Sequence, residues 1–241
     1  MKALILAAGL GTRLRPLTDR CPKALVSVGG QSLLERNILF LKSQGISGII
    51  VNVHHFGEQI IDFVRQRDFG IPISISDERG LLLDTGGAIR HAADFFHGEE
   101  DFLIYNVDVL SNISLKKMYG THRQQQNLVT MAVRHRSSSR QLLFGDDLKL
   151  LARHNPEEGL PAEARHAAAF SGIHMLSTRI FRLLPEEEAF PIMPVYLQLA
   201  QSENIRGYFH DEDFWMDMGH PEQIATVERM IRNNEEPFRQ N

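Results

Sequence analysis

Short apolar runs alternate with segments of helical spacing over about the first 135 residues, and this alternation constrains the fold more than any other feature. Ala3 to Ala7 is a continuous apolar run, and residues 48–53 form a second one. Between them, Leu34, Ile38 and Leu41 recur at the spacing of one helix face. Runs that are apolar on both faces are typical of parallel strands covered by helices. The order βαβαβαβ therefore predicts an α/β fold with a doubly wound, mainly parallel sheet.

Strand-like segments after residue 127 are less regular and predict a small additional sheet layer beside the main sheet. The sequence has neither an internal repeat nor a linker long enough to separate two domains. We therefore expect one domain over residues 1–233, followed by a polar tail at residues 234–241.

Composition is that of an ordinary globular protein. Of the 241 residues, 43% are apolar and one is cysteine, which excludes a disordered chain and one stapled by disulfides. No apolar run reaches the roughly 18 residues that a membrane span needs. The apolar start of the chain is short and leads directly into glycines and arginines. It therefore predicts a first strand rather than a signal peptide, and a protein of the cytoplasm.

Positive charge is concentrated near one end of an acidic chain. The formal net charge is −4, which argues against a non-specific nucleic-acid binder. Residues 1–25 nevertheless carry five of the 26 basic side chains and one of the 30 acidic ones, a net of +4, and the rest of the chain has a net of −8. Cations gathered around one glycine-rich segment indicate a small anionic ligand.

That segment has the composition of a phosphate-binding loop. It runs from Leu6 to Thr18 with the sequence LAAGLGTRLRPLT. The backbone amides of Gly9 and Gly11 can approach an anion closely, and Arg13 can grip phosphate oxygens. Lys23 brings a further cation back toward the end of the strand, where ligands bind in open α/β sheets.

Spacing excludes two other kinds of nucleotide-binding loop. A Rossmann fingerprint needs a third glycine where Leu14 stands, and a Walker loop needs a Gly-Lys pair followed by Ser or Thr, which is absent. A simple glycine turn with solvent-exposed arginines is the remaining alternative. The clustering of Arg13, Arg15, Pro22 and Lys23 favours the anion site.

Two aspartates are candidate metal ligands. Asp108 follows a predicted strand at residues 102–105, and Asp217 shares one face of a short apolar strand with Trp215. Taken alone, Asp108 is typical of a strand-end turn, and Asp217 of a buried carboxylate paired with an arginine. Together, facing one phosphate loop, they predict a two-carboxylate clamp for Mg²⁺.

Glycines elsewhere mark two further candidate positions. Gly86 and Gly87 stand at a predicted helix start, where they suit either a flat or anionic ligand or the close packing of that helix. Gly172 interrupts a predicted strand, where a ligand or another backbone can approach.

These residues together resemble the signature of the sugar-1-phosphate nucleotidyltransferases. The resemblance extends over nearly the whole chain and rests on the loop at 6–18 with Pro22–Lys23 and on the segments at 83–87, 170–173 and 215–219. Short bacterial N-acetylmuramate-1-phosphate uridylyltransferases of cell-wall recycling are the most similar members. Short mannose-1-phosphate guanylyltransferases and heptose-phosphate nucleotidyltransferases are nearly as similar. The resemblance implies a Rossmann-like fold of the glycosyltransferase-A type.

The resemblance also implies a reaction and a set of residues for it. An oxygen of a sugar-1-phosphate attacks the α-phosphorus of an NTP, giving a nucleotide sugar and pyrophosphate. Arg13 is then expected to steady the departing pyrophosphate, and Lys23 to neutralise the α-phosphate or the sugar phosphate. The implied nucleotide-binding residues are Ala8, Gly9, Gly11, Thr12, Arg13, Gly86 and Gly87. The implied sugar-binding residues are Lys23, Asn106 and Gly172, and the implied Mg²⁺ ligands are Asp108 and Asp217.

Three departures from the family pattern bear on the function. Val107 stands where the family usually has a glycine before the metal-binding aspartate, which puts normal activity in question. The Glu-Lys-Pro sugar-phosphate motif of many relatives is absent. The hexapeptide-repeat domain of longer relatives is also absent, so no acyltransferase activity is expected.

The leading hypothesis is a cytoplasmic, Mg²⁺-dependent enzyme that joins UTP and N-acetylmuramate-1-phosphate. It would work as a monomer or homodimer, without nucleic-acid or membrane partners. Use of GTP with mannose- or heptose-1-phosphate is the alternative within the family. A catalytically silent nucleotide-sugar sensor or regulatory subunit is the alternative of another class.

Overall fold

The computed structural model describes residues 1–154 and 160–238, and over these it contains thirteen strands and six α-helices. The strands are β1 (Ala3–Leu6), β2 (Ser27–Val28), β3 (Gln31–Ser32), β4 (Ile49–Val53), β5 (Ile73–Asp77), β6 (Asp101–Asn106), β7 (Val109–Ser111), β8 (Val129–Arg134), β9 (Gln141–Phe144), β10 (Leu150–Arg153), β11 (His166–Ser177), β12 (Ile205–Phe209) and β13 (Trp215–Asp217). The helices are α1 (Leu33–Ser43), α2 (Gly57–Arg65), α3 (Asp84–His91), α4 (Leu115–Gln124), α5 (Ile192–Leu199) and α6 (Pro221–Arg232).

Four parallel strands in the order β6-β1-β4-β5 form the part of the sheet that the apolar runs predict. Helices α1, α2 and α3 lie in the crossovers that connect β1, β4, β5 and β6 along the chain. Every residue of β4 is buried, as expected of a strand covered on both faces. The predicted fold class, a mainly parallel, doubly wound α/β sheet, is confirmed.

The later strands continue this sheet instead of forming a separate layer. The twelve-residue strand β11 pairs antiparallel with β6, β8 and β9, and β12 pairs parallel with β8, which gives a nine-stranded sheet. The β11–β8 register shifts between Phe170 and His174. The additional small sheets are the two-stranded pairs β7–β13 and β2–β3.

Alternate residues of the central strands pack in two hydrophobic cores, one on each face of the sheet. Ala3 and Ile5 of β1 belong to the first core, and Leu4 between them belongs to the second. A third cluster joins Leu14 of the glycine-rich loop to Val227 of α6. This cluster fixes the position of the loop relative to the C-terminal part of the chain.

The helix whose start is predicted at Gly86 and Gly87 is short. Helix α3 ends at His91, and a 3-10 turn over Ala93–Phe96 follows and buries Phe96. Among the described residues, no helix has the length and apolarity that crossing a bilayer requires.

Candidate functional site

A cleft of about 350 Å³ runs along the edge of the sheet at which the four parallel strands end. Asp108 follows β6, Ala8 and Gly9 follow β1, Asn52 lies at the end of β4, and Glu78 follows β5. Neighbouring strands are about 4.8 Å apart, so β6 and β5 are separated by roughly 14 Å at this edge. The cleft is therefore long enough for an extended ligand that lies across the strand ends.

Lys23 and Asp108 contact each other at the β6 end of the cleft. The chain turns back after Pro22 into a 3-10 turn over Lys23–Leu25, which buries Lys23 at 8% exposure. The Lys23 ammonium donates a hydrogen bond to the Asp108 carboxylate and forms an ion pair with it. Two residues predicted separately from the sequence are thus in direct contact.

The glycine-rich loop turns sharply at Gly11, which has a φ of +64°. A Cβ at this position would lie 3.0 Å from the Thr18 methyl group and 3.1 Å from Lys23 Cβ. The Thr18 hydroxyl donates to the Gly11 carbonyl at 2.8 Å. The turn therefore packs directly on Lys23, with Thr12 exposed at the start of the next 3-10 turn. Gly9 is exposed, with no atom within 4 Å of where a Cβ would stand, so its backbone is open to a ligand.

Arg13 and Asp217 lie on either side of Gly219. A Cβ at Gly219 would be 2.8 Å from Arg13 Nη2 and 2.7 Å from Asp217 Oδ1. Arg13 Nη1 is 3.1 Å from His220 Nε2, and Asp217 Oδ1 accepts the Gly219 amide at 2.8 Å. Within residues 1–154 and 160–238, no salt bridge joins Asp217 to an arginine, although Arg13 and Arg136 lie near its carboxylate.

The ladder between β7 and β13 brings the two candidate metal ligands together. Asp217 is opposite Val109, and the Met218 amide donates to the Asp108 carbonyl at 2.7 Å. The described residues contain no cluster of three or more His, Cys, Asp or Glu residues suited to a metal. Two neighbouring carboxylates beside a phosphate loop nevertheless fit Mg²⁺, which takes one or two carboxylates and completes its shell with water and phosphate oxygens.

Asn106 and Gly172 lie side by side where β6 and β11 adjoin. Gly172 has a φ of +78°, and a Cβ there would stand 2.9 Å from Asn106 Nδ2. The Trp215 indole donates to the neighbouring Ser171 carbonyl at 2.8 Å. Asn106 and Gly172, two of the three residues predicted to bind the sugar, therefore lie at one place, beside β13.

Gly86 and Gly87 are packed against another segment rather than lining the cleft. Both amides donate to the Phe190 carbonyl, at 2.8 and 3.3 Å. A Cβ at Gly86 would collide with the Phe190 ring, and one at Gly87 would collide with the Glu188 carbonyl. Close packing, the alternative considered for these glycines, is what the structure contains. Asp84 and Thr85 line the cleft in their place, and nucleotide binding by the glycines stays a prediction.

Sequence reasoning missed Asn52 and Glu78 at the β5 end of the cleft. Asn52 Oδ1 accepts the Ala7 amide at 2.6 Å, and Asn52 Nδ2 donates to Glu78 Oε1 at 3.0 Å. Glu78 is 3% exposed, its Oε2 has no hydrogen-bond partner, and burial raises the pKa of its carboxyl. The available signal was their place at the ends of predicted strands, where ligands of parallel sheets bind.

Comparison with known proteins identifies the family of this chain. The family model described as "Nucleotidyl transferase" matches residues 2–146, more than half of the chain. The chain belongs to the nucleotidyl transferase family. The predicted resemblance to the sugar-1-phosphate nucleotidyltransferases, and with it the prediction of an enzyme, is confirmed.

Two curated relatives of this nucleotidyltransferase differ in the nucleotide and the sugar that their names give. The N-acetylmuramate alpha-1-phosphate uridylyltransferase of Caulobacter vibrioides is 31% identical over 95% of this chain and 96% of its own length. The mannose-1-phosphate guanyltransferase of Saccharomyces cerevisiae is 28% identical over 94% of this chain and 63% of its own length.

Solved structures support the fold of the nucleotidyltransferase. HddC from Yersinia pseudotuberculosis superposes with a TM-score of 0.77 at 21% identity and covers 95% of this chain and 99% of its own. An apo UDP-glucose pyrophosphorylase superposes with a TM-score of 0.79 at 16% identity and covers 97% and 99%. Both likenesses concern the fold.

Proposed function

We propose that this enzyme joins an NTP and a sugar-1-phosphate to give a nucleotide sugar and pyrophosphate, with Mg²⁺ as cofactor. One observation carries the proposal: the start of the glycine-rich loop and the Lys23–Asp108 contact lie at one end of the cleft, and the β7–β13 ladder brings the backbone of Asp217 next to Asp108. Phosphoryl transfer of this kind needs alignment and charge stabilisation rather than a protein nucleophile. A single domain over residues 1–233 is proposed as the catalytic unit.

The loop and its neighbours would bind the triphosphate. Ala8, Gly9, Gly11 and Thr12 would offer backbone amides to phosphate oxygens, and the backbone at Gly9 is open to a ligand. Arg13 lies at the exposed side of this loop, where its guanidinium can hold the departing pyrophosphate.

The contact between Lys23 and Asp108 would bring positive charge to the reacting phosphates. Asp108 and Asp217 are the proposed metal ligands, and bound Mg²⁺ would supply Lewis-acid stabilisation of the charge that develops on the phosphates. Lys23 would shift from the Asp108 carboxylate toward the α-phosphate or the sugar phosphate, since these anions compete for its ammonium.

The two substrates would bind at opposite ends of the sheet edge at which the parallel strands end. Asn106 and Gly172 lie on the β11 side of the proposed phosphate site, which suits the sugar. Asn52 and Glu78 lie on the β5 side, which suits the nucleoside. A nucleotide bound across the strand ends would thus have its α-phosphate near Asp108.

For the substrates, we propose UTP and N-acetylmuramate-1-phosphate, and thus a role in cell-wall recycling in the cytoplasm, as a monomer or homodimer. The full-length similarity to a uridylyltransferase of that specificity supports this pair. GTP with mannose-1-phosphate is the second candidate, supported by the similarity to guanyltransferases. Heptose-1-phosphate is a further candidate sugar substrate.

Val107 is compatible with activity, which counts against a catalytically silent sensor. It is 4% exposed and packs in the first core, its amide donates to the Leu6 carbonyl, and its own carbonyl accepts the Asn37 side chain at 2.8 Å. Val107 therefore packs in the core and also lines the cleft beside Asp108, with both of its backbone polar groups hydrogen-bonded.

Pyrophosphate release across a matrix of NTPs and sugar-1-phosphates tests the proposal. Release with UTP and N-acetylmuramate-1-phosphate, and its loss when Mg²⁺ is chelated, is the expected result. Release with GTP and a mannose or heptose phosphate instead would select the second specificity. Silence in every combination, with nucleotide binding still measurable, would overturn the enzyme in favour of the sensor.

A further inference from the structure

Arg136 lies at the same edge of the sheet as Asp108. Strands β8 and β6 both pair antiparallel with β11, so they run in the same direction with β11 between them. Arg136 stands two residues after the end of β8, and Asp108 stands two residues after the end of β6. Two strand spacings, about 10 Å, separate these strands. An arginine far from the glycine-rich loop in sequence is thus next to the proposed sugar side of the site.

Contacts hold the Arg136 guanidinium beside the segment that contains Gly172. Its Cζ is 4.8 Å from the centre of the Trp215 ring, and Nη2 donates to the Phe170 carbonyl at 3.1 Å. Trp215 is itself fixed by its bond to the Ser171 carbonyl. A planar cation stacked on an aromatic ring is preorganised, so less conformational entropy is lost when it binds an anion.

Within residues 1–154 and 160–238, no ion pair neutralises the positive charge of Arg136. Among the described residues, no carboxylate lies within salt-bridge distance of it, and its buried Nε has no hydrogen-bond partner. Arg134 lies over the same ring at 5.7 Å and bonds only backbone carbonyls, those of Asp211 and Asp213. Burial lowers the pKa of Arg136, and the nearby Asp217 carboxylate opposes that effect. A partly buried cation that has no carboxylate partner among the described residues is suited to an anionic ligand.

We infer that Arg136, stacked on Trp215, binds an oxyanion of the sugar substrate. The inference rests on the proposed function, because it identifies the sugar side of the same site. The oxyanion has two possible sources, the 1-phosphate itself or a carboxylate carried elsewhere on the sugar. N-acetylmuramate has such a carboxylate on its lactyl group, and N-acetylglucosamine lacks it while sharing the rest of the sugar.

Steady-state kinetics of Arg136→Gln test the inference. The control is Arg67→Gln, because Arg67 is also an arginine over an aromatic ring, 4.0 Å from Phe63, but is exposed beyond the end of α2. KM is measured for the NTP and for the two sugar-1-phosphates, N-acetylmuramate and N-acetylglucosamine. We expect Arg136→Gln to raise the sugar KM about tenfold or more while the NTP KM changes less than about twofold.

The two sugars distinguish the sources. A rise in KM for both sugars would identify the 1-phosphate as the bound oxyanion, and a rise confined to N-acetylmuramate-1-phosphate would identify the carboxylate. An unchanged sugar KM, or an equal effect in Arg67→Gln, would overturn the inference. A wild-type protein inactive with every substrate pair would instead overturn the proposed function and the inference with it.

A folding defect is separated from a binding defect by thermal unfolding of each variant. If Arg136→Gln does not fold, Arg136→Lys takes its place, because lysine keeps the charge and loses the planar fork. The same rise in sugar KM is then expected, smaller in size. An unchanged sugar KM in whichever variant folds would count against the inference.

Discussion

The ammonium group of Lys23 bonds the carboxylate of Asp108 and so joins the loop after β1 to the end of β6. This contact crosses 85 positions of the chain and lies at the proposed reacting phosphates. It keeps both charged groups in place when no substrate is present. A substrate phosphate that takes the lysine would release the carboxylate for Mg²⁺.

The first prediction concerns the two candidate metal ligands. Asp108→Asn and Asp217→Asn should each lower the Mg²⁺-dependent turnover by roughly a hundredfold or more, because a neutral amide is a much weaker Mg²⁺ ligand. Thermal unfolding should shift by only a few degrees, since an asparagine at 108 still accepts the Lys23 bond. Pyrophosphate release over a Mg²⁺ titration measures the effect. Full activity in both variants would eliminate the metal assignment.

The second prediction concerns Gly172. Its φ of +78° and a Cβ contact 2.9 Å from Asn106 Nδ2 make alanine unfavourable there. Gly98 is the matched control, with a φ of +82° and open space around its Cβ position. Gly172→Ala should lose about 1–3 kcal/mol of unfolding free energy more than Gly98→Ala, and it should raise the sugar KM. Equal losses in urea unfolding would contradict the close approach.

The third prediction separates packing from ligand binding at Gly86. A Cβ there would meet the Phe190 ring and lie 2.8 Å from the Phe190 carbonyl, so Gly86→Ala should destabilise the fold by about 1–3 kcal/mol. Gly120 in α4 has no atom within 4 Å of its Cβ position. Gly120→Ala should therefore stabilise the fold by up to about 1 kcal/mol. Chemical denaturation measures both, and a Gly86→Ala variant with normal stability but a raised NTP KM would favour nucleotide contact instead.

The fourth prediction concerns Glu78 at the nucleoside end of the cleft. Glu78 lines the cleft, and among the described residues its buried Oε2 has no hydrogen-bond partner, so Glu78→Gln should raise the NTP KM about tenfold and leave the sugar KM unchanged. Glu58→Gln is the control, because Glu58 is an exposed carboxylate paired with Arg79. A change in the sugar KM alone would remove Glu78 from the nucleoside site.

The fifth prediction concerns acid stability. Burial lowers the pKa of His174 to about 3, and its Nδ1 lies 2.7 Å from the Tyr196 hydroxyl. The unfolded chain takes up a proton at this imidazole near its ordinary pKa of 6.5, and the folded chain does so only near pH 3. Stability should therefore be unaffected by His174 above pH 6.5 and should fall by up to about 1.4 kcal/mol per pH unit below it.

Unfolding curves between pH 4 and 8 measure this effect. His174→Gln should flatten the decline, while the same change at exposed His97 should leave it as in the wild type. A slope that is identical in all three proteins would show that His174 does not contribute.

Pattern reasoning predicted the central strands and most helices because their signals are local. The run from Ala3 to Ala7 becomes β1, and the helical spacing of Leu34, Ile38 and Leu41 becomes α1. The strand β12 escaped prediction because Arg206 and Gly207 interrupt its apolar pattern. Backbone hydrogen bonds to β8 hold this segment in the sheet, and its side-chain pattern does not indicate that pairing.

Site residues were likewise predicted where their neighbours are close in sequence and missed where their neighbours are distant. Residues within the loop at 6–18 lie together because the chain is continuous there, and Lys23 returns to it across a short turn. Gly86 did not reveal its neighbour, because Phe190 is more than a hundred positions away. Asn52 and Glu78 were missed because their strand-end positions acquire meaning only through the register of β4 and β5.

By itself, the sequence determined the α/β class and predicted an anionic ligand and the loop that would bind it, since apolar periodicity and clustered charge are properties of neighbouring residues. Only the tertiary structure decided which distant side chains meet that loop. It brought Asp217 beside Asp108, packed Gly86 against Phe190 and placed the Arg136 guanidinium over the Trp215 ring. Such contacts depend on strand order and register, which are set by the packing of the whole chain.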